Sequence, residues 1–311
     1  MRAAERRLTV GALAVVALAL VPGTARAYVR TLTKGTPTMP LLWKQTCVPV
    51  TIFVGDFEAK ARMPETSIVK SVAGAARAWG PDAVTCPDGV SHPFIEIVPT
   101  LAPASSALPA IADDARNVVV FRTENWTLDG TPGGTPLNEA LAYTLVTSRG
   151  PGNIVDADIL VNGVTRTWKD FEPGVTPTPD QGETIMEFDL QAALVHEFGH
   201  FLGFAHSCVQ SGEAPAKDDQ GHDVPPCVPA PEAAIRSVMY FRTAEDDPTK
   251  RVLSPDDVRG VCEVYASDTK SCAVDAPYDG CAVAPGRAAS GGVVGLAAAF
   301  ILAWRRRRAR A

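Results

Sequence analysis

The stretch HEFGHFLGFAH, residues 196–206, dictates more about the fold than any other part of the chain. It holds three of the five histidines in 311 residues: His196, His200 and His206. On a helix, residues four apart differ by about 40° around the axis and share a face. The imidazoles of His196 and His200 can therefore reach one point. Gly203 marks where that helix must stop, because glycine tolerates the left-handed backbone that reverses a chain. The reversal carries His206 back toward the same point. Any fold for this sequence must build a helix, a tight glycine turn and a returning segment around a common centre.

Three imidazole nitrogens suit zinc, and they leave a fourth position open for water, as catalytic rather than structural sites do. Glu197 is turned about 100° from His196. It falls outside the ligand set and beside the open position, where it can serve as general base. Zinc acidifies water and polarises a carbonyl, so the expected reaction is hydrolysis of a peptide bond with no covalent intermediate. H-E-x-x-H alone arises by chance; the added Gly and His at the correct spacing make the pattern far more specific.

The ends of the chain read as targeting segments. Arg2, Arg6 and Arg7 precede an apolar run from Leu8 to Val21, and Ala25-Arg26-Ala27 closes it. That order predicts a secretory signal peptide over 1–27. At the other end an apolar stretch within 288–304 is followed by Arg305 to Arg308 and Arg310. It is just long enough to cross a thin bilayer, with the arginines held on the cytoplasmic side. Residues 269–287, with Cys281, form a linker between this tail and the domain expected over 28–268. The formal charge of the chain is −6. Residues 1–27 and 287–311 carry ten arginines and one glutamate, so the exported part stands at −15. Such an acidic surface excludes nucleic acid as a partner. Seven cysteines in an exported chain predict disulfides. Pairing neighbours in sequence gives Cys47–Cys86, Cys208–Cys227 and Cys262–Cys272, with Cys281 left over.

Along the domain, 47–57, 94–99, 116–122, 141–147 and 156–162 are rich in β-branched and aromatic residues and predict strands. Gly150-Pro151-Gly152 predicts a turn between the last two. Ile68, Val72, Ala75, Ala76 and Trp79 form one apolar helical face that opens at Pro64 and ends at Gly80-Pro81. Residues 169–183 and 209–233 read as loops. Asp189 caps the histidine-bearing helix, and Ser254-Pro255-Asp256-Asp257 starts a final helix running to about Tyr265. The resulting class is α+β, with a twisted, mostly parallel sheet packed against helices.

H-E-x-x-H-x-x-G-x-x-H is the signature of the metzincin zinc proteases, and Ser207 after the third histidine is similar to the matrixin branch. SVMY (237–240) resembles that family's Met-turn, which would set Met239 beneath the zinc. DLQAALVHEFGH, LSPDDVRGVCEVY, DADILVN and the 68–79 helix also resemble matrixin segments, so the likeness covers about residues 40–266. It implies a zincin-like catalytic domain, one catalytic Zn2+ on His196, His200 and His206, Glu197 as base, and protein or peptide substrates. It also implies a pocket wall from Tyr240 to Asp247. The likeness departs in two places. There is no propeptide cysteine motif, and the Gly-rich calcium and structural-zinc loop is missing after Asn162. Asp156 and Asp158 are candidate Ca2+ contacts, set against the plainer reading of acidic side chains at a strand edge. His92 and His222 sit in predicted loops and are assigned no metal. Cys281, spacer, apolar span and arginine cluster together resemble the MYXO-CTERM sorting tags of myxobacterial surface proteins. That implies a sorting protease as a partner and a cell-surface destination, with transient anchoring in the inner membrane. Two other functions stay open: a zinc-holding surface module that binds peptide without cutting, and a surface protein whose zinc is only structural.

Overall fold

Parallel strands covered on both faces read as unbroken apolar runs, and the centre of this molecule is built from such runs. The computed structural model describes residues 28–35, 37–171, 187–244 and 247–267. The expected signal peptide, residues 172–183 of the expected loop, and the linker and tail from 269 onward lie outside the described residues. Among the described residues no helix is long and apolar enough to cross a membrane.

The elements in chain order are β1 (Val29–Arg30), β2 (Cys47–Phe53), α1 (Phe57–Ala61), α2 (Glu65–Ala78), β3 (His92–Pro93), β4 (Glu96–Leu101), β5 (Val118–Arg122), β6 (Ala142–Arg149) and β7 (Asn153–Asn162). Then come β8 (Thr167–Lys169), β9 (Glu187–Asp189), α3 (Leu190–Phe201), β10 (Phe204–Ala205), α4 (Glu232–Arg236), a short 3-10 turn (Pro248–Arg251), α5 (Pro255–Tyr265) and β11 (Ala266–Ser267). The fold is mixed α+β. Its central sheet has the order β4-β2-β5-β7-β6. Four strands are parallel, and β6 runs antiparallel to β7 along one edge. The turn at Gly150–Gly152 joins β6 to β7 as expected, with both glycines at positive φ.

One face of the sheet packs on α2 and α3. Val50, Ile52, Val119, Phe121, Ile159 and Val161 point into that core with Ile68, Val72, Leu194 and Phe198. On the other face Phe53, Val118, Val120, Tyr143 and Leu160 are covered by Leu108, Ile111 and Trp126. The helix α3 is buried along nearly its whole length, so its backbone groups need internal partners. Asp189 caps its start, accepting from the Ala192 N–H at 2.7 Å, and Arg251 grips the same carboxylate at 2.9 and 3.0 Å. Three aromatic donors satisfy carbonyls on its later part. Trp79 Nε1 donates to Val195 O, Trp43 Nε1 to Phe201 O and Tyr265 Oη to Leu202 O, each at 2.8 Å.

Several short elements were not expected. β1 pairs with β10, and β3 pairs with β11. Two-residue strands carry no periodicity to read. His92 thus stands in a strand rather than a loop, with Nδ1 at 2.7 Å from Val84 O. The loop expected over 209–233 gives way to α4 at Glu232.

The cysteine pairing expected from sequence is corrected in part. Cys208–Cys227 forms as expected, but Cys86 pairs with Cys262. That excludes Cys47–Cys86 and Cys262–Cys272, while Cys47 is also disulfide-bonded. The physical reason is that α5 returns to the region after α2, so cysteines 176 residues apart meet with Cα atoms at 5.6 Å. In the chain-entropy account such a span is worth about 5 kcal/mol, against about 3 for Cys208–Cys227. A Cys86→Ala/Cys262→Ala double variant should therefore lose more stability in a urea titration than Cys208→Ala/Cys227→Ala. The reverse order would contradict this account.

Asp156 and Asp158 are not at a sheet edge. β7 lies between β5 and β6, and both carboxylates are buried. Asp158 accepts from the Val118 N–H at 3.1 Å, and one Asp156 oxygen has no partner. Burial pushes the Asp156 carboxyl up to about 6, with the Asp114 and Asp113 charges adding and Arg149 opposing. Burial pushes Asp158 up to about 8, with the Asp156 charge adding. A raised folded-state pKa leaves the fold unpenalised below the ordinary carboxylate range; the penalty grows as pH rises from there to the folded-state value and is complete above it. Thermal stability should fall between about pH 4 and about pH 8. Asp156→Asn should gain on the parent by on the order of a few degrees as pH rises from about 4 to about 6. A difference in melting temperature that does not change with pH would refute the assignment.

Candidate metal centre

The three histidines come together as their spacing requires. Their ligand nitrogens lie within 4.8 Å of one another, and among the described residues this is the group of His, Cys, Asp or Glu side chains that could hold a metal ion. His196 and His200 are buried on α3, and His206 follows β10. Ring orientation is set from behind. His196 Nδ1 lies 2.7 Å from Val238 O, and His200 Nδ1 lies 2.8 Å from Phe204 O. A carbonyl only accepts, so each Nδ1 carries the proton and each Nε2 keeps a lone pair. The two Nε2 atoms are 3.0 Å apart. His206 Nε2 is buried and has no hydrogen-bond partner. Converging lone pairs repel one another unless a positive charge sits between them. Burial lowers the pKa of all three rings, that of His200 to about 4, so the residues stay neutral and suit a cation rather than a proton. The donor set fits a metal ion.

Gly203 is needed on two grounds. It stands at φ +88°, and a Cβ there would fall 2.5 Å from Leu41 O. The turn it makes places Phe204 O behind His200 and starts the segment that carries His206.

Met239 packs against α3 at Gly199. A Cβ on Gly199 would fall 2.1 Å from Met239 Sδ and 2.9 Å from Trp79 Cζ2, so the methionine sits directly against the helix between the two histidines. The turn that carries Met239 is held by α5. Asp257 accepts from Ser237 Oγ at 2.6 Å, from the Val238 N–H at 3.0 Å and from the Ser254 N–H at 2.8 Å. Ser254 Oγ in turn accepts from the Asp257 N–H at 3.3 Å, a reciprocal cap. One carboxylate therefore both starts α5 and fixes the carbonyl that orients His196. The sequence marked Asp257 only as part of a helix cap.

Glu197 is fully buried. Its Oε2 accepts from Thr144 Oγ1 at 2.5 Å, and its Oε1 has no partner. Burial pushes its carboxyl up to about 8, with the Thr144 hydrogen bond opposing. Thr144 lies on β6 and nothing in the sequence singled it out, since an isolated threonine in a strand is ordinary. Tyr240 and Phe241, from the expected pocket wall, pack with the Cys208–Cys227 disulfide. His222 is exposed beside Asp218, and Asp156 and Asp158 face the opposite side of the sheet; none of them joins the centre.

No family model matches the chain, and no curated protein sequence matches it significantly.

Gly199→Ala should disturb this arrangement without touching a ligand. The added methyl must displace Met239 or Trp79, an overpacking cost of about 1–3 kcal/mol. Metal affinity measured by competition with a chromophoric chelator should drop together with stability. Unchanged values for both would show that Met239 does not support the helix.

Proposed function

We propose that this chain is a zinc-dependent endopeptidase of the metzincin type, similar to matrixins, and that it acts outside the cytoplasm. The observation that carries the reading is the convergence of three imidazoles, with ligand nitrogens within 4.8 Å of one another, on and just after a helix that also carries a buried glutamate with one unpartnered oxygen. The position of β6 agrees with it. That strand is the sheet edge and holds Thr144 against Glu197, so an extended peptide added along the edge would run past the carboxylate. The Cys86–Cys262 and Cys208–Cys227 disulfides agree with an oxidising compartment.

His196, His200 and His206 would hold the zinc ion. When bound, zinc supplies Lewis acidity, which favours attack by water on a peptide carbonyl. Glu197 takes a proton from the attacking water at Oε1 and delivers it to the leaving amine nitrogen as the C–N bond breaks. Thr144 holds the other oxygen and keeps the carboxylate turned. The carbonyls of Val238 and Phe204 keep the imidazoles in one tautomer, so no ligand has to reorient during turnover.

Casein or gelatin cleavage with and without chelator tests the activity. Glu197→Gln should keep one zinc per chain and lose roughly a hundredfold or more in rate. His206→Ala should lose both metal and activity. Equal turnover by parent and Glu197→Gln at matched zinc loading would remove the general base. A zinc-loaded parent that cuts nothing would leave a zinc-holding binding module instead.

A further inference from the structure

A half-open cleft of about 360 Å3 lies against His200 and His206. Val29 of β1 and Ala205 of β10 form one wall. Val209, Ala216 and Val224 form the other. These three come from the loop between Cys208 and Cys227, whose ends are joined by the disulfide. The loop is braced further. The Val209 N–H donates to Pro225 O at 2.9 Å, the Cys227 N–H to Val209 O at 2.8 Å and the Val224 N–H to Ala216 O at 3.0 Å. A wall so tied keeps its shape without a ligand, and preorganisation of this kind favours binding.

The chemistry of the walls is aliphatic. Ala216 is exposed, and Val209 and Val224 are half-buried, so these groups face solvent rather than the core. Glu213, at the exposed rim, is the acidic group among the lining residues. An apolar cleft lined by His200 and His206 adjoins the candidate metal centre, where a scissile bond would sit. We propose that this cleft is a specificity pocket for an aliphatic side chain, Val, Leu or Ile, of a peptide residue close to the scissile bond. The disulfide-closed loop 208–227 is then the element that selects substrates. This rests on the peptidase reading given above. Covering the walls with a branched side chain removes apolar surface from both partners, which is worth about tenfold or more in affinity over glycine.

Peptidyl hydroxamates test this by binding alone, because the hydroxamate ligates zinc and the compound is not cut. Two series place Gly, Ala, Val or Leu on one side or the other of the hydroxamate. Calorimetry on the zinc-loaded parent should give about tenfold or more tighter binding for Val or Leu than for Gly in one series. Ala216→Trp and, on the same wall, Val224→Trp should reduce that ratio to near one at equal zinc content. Both positions lie outside the buried core, and either variant alone suffices. No aliphatic gain in either series, or a gain that survives both tryptophans, would overturn the pocket. A dimer present in the parent and lost in Ala216→Trp would assign the cleft to a second copy of the chain and would also overturn it. An aliphatic gain in a parent that leaves casein intact would retain the pocket and remove the peptidase.

Discussion

Two hydrogen bonds, His196 Nδ1 to Val238 O and His200 Nδ1 to Phe204 O, decide which way the imidazole lone pairs face. Because both Nδ1 atoms are committed to carbonyls, both Nε2 atoms must present lone pairs to the same space. Much of the surrounding structure exists to keep those two carbonyls in place. Gly203 turns the chain so that Phe204 O comes behind His200. Asp257 pins the 237–239 turn so that Val238 O comes behind His196. The packing of Met239 on Gly199 keeps the turn close to the helix.

Such a centre is costly to build, since buried polar atoms without partners lose their hydration and gain nothing in return. His206 Nε2 and Glu197 Oε1 are two such atoms in one place. A fold tolerates them where the rest of the structure holds the geometry. Here that support is the caged helix α3, with Asp189 and Arg251 at its start and Trp79, Trp43 and Tyr265 on its later carbonyls. Local frustration paired with rigid surroundings is what a preorganised ligand site looks like in physical terms.

The disulfides divide the work. Cys86–Cys262 closes a long span and ties α5 to the body of the domain; α5 carries Asp257, so this crosslink bears indirectly on the orientation of His196. Cys208–Cys227 acts locally. It packs against Phe241 just past the Met239 turn and closes the loop that walls the apolar cleft. The covalent framework thus supports the centre from one side and shapes its approach from the other.

The spacing of His196, His200, Gly203 and His206 needed no tertiary information to be read. Helical periodicity and the conformational freedom of glycine act within eleven residues, and the same local physics made α2, the Asp189 cap and the cap at Ser254 legible. Apolar runs likewise announced the strands of a mostly parallel sheet. What the sequence could not show lies in contacts between distant segments. Thr144 reaches Glu197 because β6 is the sheet edge that passes α3. Asp257 reaches Val238 because α5 folds back under the turn. Cys86 meets Cys262, and not a nearer cysteine, because chain reversal sets spatial neighbours without regard to sequence distance. Asp156 and Asp158 are buried because β7 gained a neighbour on each side, where an acidic pair alone suggested an exposed edge. The meeting of the three histidines followed from local geometry, whereas their orientation, support and burial were decided by the packing of the whole domain.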